Sequence, residues 1–206
     1  MSVQAVVLDI GNVLIEWNPE AFYDARLGPR MRHQFMAETD IHAMNLEVDR
    51  GADLHDATTS LALRHPRWAD EIKHWHDSWL QFVPSDIPHS VRLMRALQHK
   101  GVPVFALSNF GNTTFDMACG IYPFLHDFDR SYISARLGVI KPDAAIYQVL
   151  ERDSGLAQDA LLFTDDRPEN IAAAQNRGWR THLFDGSNGW AQTLIKAGLL
   201  SETEAQ

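Results

Sequence analysis

The chain has 206 residues, 45% of them hydrophobic and 22% charged, with a net charge of −9 and a single cysteine. That length suits one domain, or one domain carrying an insertion, and buries roughly 70% of the unfolded surface. The composition sets disordered and fibrous classes aside. The acidic balance argues against a general nucleic-acid or anionic-membrane binder but leaves room for a small phosphorylated ligand, and Cys119 alone makes neither a disulfide nor a cysteine-based zinc site.

Residues 4–9 read as a short buried strand in which Ala-Val-Val-Leu delivers Asp9 to its end. No basic residue precedes that run, and Asp9 interrupts it too early for a signal peptide. No stretch approaches the ~20 apolar residues of a membrane span, so the expectation is a cytoplasmic protein.

From Trp17 to about His89 the strand pattern disappears, charge density rises, and Trp68, Trp75 and Trp79 recur at helical intervals. A helical insertion after the first strand is predicted here, placed where a lid closes over a substrate. His74 and His76 look like a ligand pair, but two residues apart on a helix they point to different sides and read as packing. Trp75 and Trp79, spaced i,i+4, read as core anchors, and Met31, Met36 and Met44 as filling.

Ser90 is the predicted N-cap of a helix from Val91 to Lys100, with Gly101 as its stop. A strand over 102–107 ends in Ser108-Asn109. After Lys141, Pro142 takes the place of a first-turn proline ahead of a helix over 144–152, and a strand over 160–164 ends in Asp165-Asp166. Pro168 opens a helix over 169–177, a last strand spans 180–184, and the tail 201–206 reads as frayed. Strand alternating with helix predicts an α/β fold, a parallel sheet with helices on both faces. The predicted division is a core of 1–16 and 88–206 and a helical cap of 17–87. If the strands are neighbours, three carboxylates, a hydroxyl and a lysine converge at the sheet's carboxyl edge, the group set of metal-assisted phosphoryl transfer.

The order Asp-Ile-Gly-Asn-Val-Leu from Asp9, Leu-Ser-Asn ending at Asn109, Ile-Lys-Pro-Asp around Lys141 and Thr-Asp-Asp-Arg-Pro-Glu-Asn ending at Asn170 resembles the four motifs of the haloacid dehalogenase-like (HAD) hydrolase superfamily. The insertion resembles that family's small helical cap, and the first motif is similar to the Asp-Leu-Gly-Asn-Val of bacterial sugar-phosphate phosphatases. The resemblance implies a Rossmann-like core and a Mg²⁺-dependent phosphomonoester hydrolase acting on a small phosphorylated metabolite, such as a sugar phosphate. Asp9 would be the nucleophile that forms an aspartyl-phosphate. Asp9, Asp166 and the carbonyl of Gly11 would hold Mg²⁺ directly, with Asp165 on a metal-bound water. Ser108, Asn109 through its backbone amide, and Lys141 would hold the phosphoryl oxygens and offset their charge. Asn170 is placed to orient Lys141 or the acidic pair.

One position departs from the pattern. Most family phosphatases carry a second Asp two residues past the nucleophile, where it protonates the leaving oxygen; here it is Gly11. Such an enzyme needs a leaving group that departs with little help, or a proton donor from the cap or the substrate. The alternative reading is a 2-haloacid dehalogenase, which uses the same Asp nucleophile without metal, although that branch resembles Tyr at Gly11 and small hydroxyl residues at Asp165-Asp166. A second alternative is a non-catalytic binding protein on the same scaffold, for which Gly11 is the support.

Overall fold

The structure is a computed structural model that describes residues 2–206; Met1 lies outside the described residues. Five strands, β1 (Ala5–Leu8), β2 (Val104–Ser108), β3 (Arg130–Ile133), β4 (Leu161–Asp165) and β5 (Arg180–Leu183), form one sheet in the order β3-β2-β1-β4-β5. Every pairing is parallel, with Val7 opposite Phe105 on one side and Phe163 on the other. The helices are α1 (Pro19–Leu27), α2 (Pro29–Thr39), α3 (Ile41–Asp49), α4 (Leu54–Arg64), α5 (Ala69–Asp77), α6 (Pro88–His99), α7 (Asn112–Ile121), α8 (Ser134–Leu137), α9 (Ala144–Ser154), α10 (Pro168–Asn176) and α11 (Ser187–Lys196). Among the described residues no helix is long and apolar enough to cross a membrane.

The two-residue side-chain period of a strand sorts the apolar runs onto two faces. Val6, Leu8, Val104, Ala106 and Leu162 join one core with Leu97 of α6 and Leu194 of α11. Ala5, Val7, Phe105, Leu107, Leu161 and Phe163 join the other, with Ile146 and Leu150 of α9 and Ile171 of α10. Because both faces of β1, β2 and β4 are covered, these strands read as unbroken apolar runs. Strand β3 carries no such run: Arg130 and Ser131 are exposed at the sheet edge, where Arg130 and Tyr132 both bond Asp153 at 2.7 Å. Charge at an edge strand blocks stray pairing and also hides the strand from an apolar-run search.

Helices α1 to α5 lie between β1 and α6. Asn18 caps α1 by accepting from the Ala21 amide at 2.9 Å, and Asp53 caps α4 by accepting from the Asp56 amide at 2.9 Å, each meeting an amide the helix leaves unpaired. Their facing sides bury a ring cluster. Tyr23 stacks on Trp75 with centroids 6.1 Å apart and packs on Phe35 at 4.8 Å, and Phe82 lies 5.1 Å from Trp75. The two chain segments that enter and leave this unit run side by side, joined by Glu16 N–H to Ser85 O at 2.9 Å and Ile87 N–H to Leu14 O at 2.7 Å.

Three local expectations are corrected. Helix α6 starts at Pro88, so Ser90 is not a cap but a buried residue within the first turn, its hydroxyl without a hydrogen-bond partner among the described residues. Pro142 precedes α9 instead of opening it, because Asp143 intervenes as the residue before its first turn. The tail is docked: His89 meets the Ala205 carbonyl at 2.9 Å, and Glu204 accepts from the Ser201 amide at 2.7 Å and pairs with Lys100 at 3.0 Å.

Candidate active site

Strands β1, β2 and β4 end side by side, so the residues just past their last apolar positions meet at one edge. Asp9 follows β1, Ser108 closes β2, and Asp165 closes β4. The Asp9 Oδ1 atom accepts from the Ile10 amide at 2.8 Å and from the Ser108 hydroxyl at 2.7 Å, and pairs with Lys141 Nζ at 2.9 Å. Among the described residues all of these contacts fall on Oδ1, and Asp9 lines the cavity.

Lys141 is buried and bridges two carboxylates, reaching Asp165 Oδ2 at 2.6 Å as well. Its backbone is gripped by Asn109, whose side chain accepts from the Lys141 amide at 2.7 Å and donates to its carbonyl at 2.9 Å. Asn109 therefore positions the lysine through its side chain, a role separate from the phosphate-holding amide read from the motif. Asp165 is fully buried and saturated. It accepts from Asn170 Nδ2 at 3.0 Å and from the Arg167 amide at 2.8 Å in addition to Lys141. Asp166 is held differently: its Oδ2 accepts from Asn12 Nδ2 at 3.0 Å. Asn12 sits at φ +56°, a left-handed conformation that asparagine tolerates, and its Oδ1 accepts from the Trp17 amide at 3.0 Å.

Carboxylate oxygens of Asp9, Asp165 and Asp166 all lie within 4.8 Å of one another. Burial, reinforced by the charge of Asp165, pushes Asp9 up to about 7 against the pull of Lys141. Burial also raises Asp166, with Asn12 opposing. For Lys141, burial lowers the pKa, but Asp165 and Asp9 outweigh it and hold the ammonium above its usual value. One lysine among three carboxylates leaves the cluster short of positive charge. An all-oxygen donor set of this kind fits a hard divalent cation such as Mg²⁺, which takes carboxylates and keeps its remaining positions for water or substrate oxygens.

The cluster opens into a cavity of 290 Å³. Gly11 lies on its wall in an ordinary backbone conformation, and a Cβ there meets only Trp17 Cβ at 3.7 Å. Helix α3 contributes His42, Asn45, Leu46 and Asp49 to the opposite side. Asp49 is a site residue that no motif announces; an Asp ahead of Arg-Gly looks like a helix end. Its carboxyl is buried, accepts from Asn45 Nδ2 at 3.1 Å, and is pushed up to about 7 by burial and then by Asp9. Its carbonyl accepts from the Ser134 hydroxyl at 2.6 Å, and that hydroxyl accepts from the Phe110 amide at 2.9 Å, which pins the end of α3 to the core. His42 also lines the cavity, but burial lowers its pKa and keeps it neutral. His74 and His76 face separate partners, Ser78 at 3.2 Å and Asp77 at 2.8 Å, and neither reaches the cavity.

No family model matches the chain. Among sequence relatives, the drimenol cyclase drtB of Aspergillus calidoustus is 25% identical over 188 residues, 88% of this chain and 34% of that protein. The sesquiterpene phosphatase astK of Aspergillus oryzae is 24% identical over 88% of this chain and 90% of its own length. The D-ribitol-5-phosphate phosphatase of Bacteroides thetaiotaomicron is 30% identical over 46% of this chain and 49% of its own. The chain thus spans about a third of the first of these relatives and about half of the third. Among solved structures, a HAD family enzyme from Bacteroides thetaiotaomicron superposes with a TM-score of 0.76 at 18% identity, covering 94% of this chain and 99% of that one. The L-2-haloacid dehalogenase of Xanthobacter autotrophicus superposes with a TM-score of 0.61 at 16% identity, covering 98% and 86%. Motif order, sheet topology and these relationships agree, and the chain has the fold of the haloacid dehalogenase-like hydrolases.

Proposed function

We propose that the protein is a Mg²⁺-dependent phosphomonoester hydrolase that works through an aspartyl-phosphate on Asp9. The carrying observation is the presence of Asp165 and Asp166 beside Asp9, three carboxylates within 4.8 Å. A metal-free dehalogenase has no use for two further carboxylates, which would repel a haloacid. The superposed Bacteroides enzyme, also solved with magnesium and inorganic phosphate, supports the same direction.

In this reading Oδ2 of Asp9 attacks phosphorus in line with the leaving oxygen. Lys141, held by Asn109 and Asp165, and the Ser108 hydroxyl, released from Asp9, offset charge on the phosphoryl oxygens. Asp9, Asp166 and the Gly11 carbonyl, with Asp165 behind them, would hold Mg²⁺, which would supply the charge that lets a carboxylate approach a phosphate dianion. Asp49 takes the place left by Gly11: as a carboxylic acid it protonates the departing oxygen, and as a carboxylate it accepts a proton from the water that then cleaves the aspartyl-phosphate. A pKa of about 7 suits both steps at neutral pH. Residues 17–87 act as the cap, presenting Asp49 and the cavity walls from above the sheet edge.

The test is phosphate release from p-nitrophenyl phosphate with Mg²⁺ and with EDTA, beside halide release from 2-chloropropionate. Metal-dependent phosphate release that Asp9→Asn abolishes is the expected result. Halide release in EDTA with no phosphate release moves the assignment to the dehalogenase.

A further inference from the structure

We infer that the group esterified to phosphate in the substrate is an apolar hydrocarbon, seated between the helical insertion and the sheet edge, and not a polyhydroxylated sugar. The inference rests on the phosphatase reading and names its substrate class. Beyond the carboxylate cluster the cavity wall is built from Trp17, Leu46, Trp75, Trp79, Val83 and Phe110. Trp17 packs against Trp75, Trp79 and Phe82 with centroids 5.8 to 6.1 Å apart, so this wall is a continuous aromatic surface.

Two of the polar groups interspersed in the wall, Asn45 and Thr114, are already engaged. Asn45 accepts from Trp75 Nε1 at 2.9 Å and donates to Asp49 at 3.1 Å, which uses both ends of its amide. Thr114 donates to the Gly111 carbonyl at 3.1 Å. A sugar pressed against these residues would bury hydroxyls without partners, whereas a hydrocarbon displaces water from rings and methyl groups at no such cost. Leu46 extends the apolar surface outward: it lines the cavity yet is 42% exposed, an isolated large side chain at the mouth. The cavity volume of 290 Å³ sits at the lower end of the ~300–1,000 Å³ typical of small-molecule sites, which suits a short chain or single ring.

The test uses the full chain with Mg²⁺ and compares ethyl, propyl, pentyl, hexyl and octyl phosphate with glycerol 1-phosphate, ribitol 5-phosphate and glucose 6-phosphate. The expected result is a kcat/KM that rises roughly fourfold per added CH₂ until the cavity is full. Each polyol ester should fall at least ~10-fold below the alkyl ester of equal carbon number. Leu46→Asn, at an exposed position with little bearing on folding, should flatten that slope mainly through KM. Calorimetric binding of the matching alkylphosphonates reads the same wall without turnover. Polyol phosphates cleaved as well as alkyl phosphates, or a flat phosphonate series, overturns the inference. A rising phosphonate series with no release from any ester, p-nitrophenyl phosphate included, overturns the phosphatase reading and leaves the apolar site standing.

Discussion

Replacing Asp49 by Asn removes a titratable proton while keeping the size of the side chain and its contact with Asn45. If Asp49 protonates the leaving oxygen, its loss should depend on how much help that oxygen needs. A general acid is worth ~10²–10⁴-fold, about 3–5 kcal/mol of barrier at 1.36 kcal/mol per tenfold, on a basic alkoxide and little on nitrophenolate. Asp49→Asn should therefore slow ethyl phosphate by ~10²–10⁴-fold and p-nitrophenyl phosphate by less than ~10-fold. The donor works only when protonated, so native activity on alkyl esters should fall as pH rises through the Asp49 pKa of about 7, and the variant should lack that limb. Gly11→Asp in the same background should restore much of the loss, because the added Cβ meets only Trp17 at 3.7 Å and the backbone there is ordinary. Folding supplies an independent check. A carboxyl raised in the folded state binds more protons folded than unfolded between its two pKa values, so it destabilises progressively as pH climbs from 3.8 to about 7, by at most ~4 kcal/mol. The melting temperature of Asp49→Asn relative to native protein should rise across that window. An unchanged ratio of alkyl to nitrophenyl rates in Asp49→Asn, with chemistry rate-limiting, refutes the assignment.

Asp9→Asn should abolish phosphate release while leaving the fold intact, as read by circular dichroism; measurable steady-state turnover in that variant counts against an aspartyl-phosphate. Asp166→Ala should lose Mg²⁺ binding and activity together, checked by calorimetry with the metal. Asp165→Ala, for which a role on a metal-bound water alone implies a ~10–100-fold weakening of metal affinity, should also destabilise the protein by ~3–5 kcal/mol in urea, because it leaves buried Lys141 with one partner fewer and orphans the Asn170 amide. Asn109→Ala should lower kcat more than it raises KM, since its side chain holds the Lys141 backbone and not the substrate; an effect confined to KM is evidence for direct phosphate contact.

The parallel sheet, its central strands and the residues delivered to their ends were legible in the chain because a strand buried on both faces must be an apolar run, and the first polar residue after it marks the sheet edge. Asp9, Ser108 and Asp165 announce themselves in that way. Strand β3 was not legible, since an edge strand trades apolar residues for Arg130 and Ser131 at its exposed start. Helix α6 starts three residues before Val91, the start that Ser90 as a cap suggests, because the helix start at Pro88 and the burial of Ser90 depend on packing against the sheet. The tail looked frayed from composition and is held by His89 and Lys100, more than a hundred residues away in sequence. The site shows the same division. Local sequence carries the residues that a strand end presents, but Asn109 gripping Lys141, Asn12 holding Asp166 and Asp49 facing the cavity from α3 are contacts between segments 32 to 154 positions apart, or across the two sides of one cavity. No local period or spacing encodes such contacts; the parallel order of the strands brings the first two together, and the packing of α3 against the core brings the third.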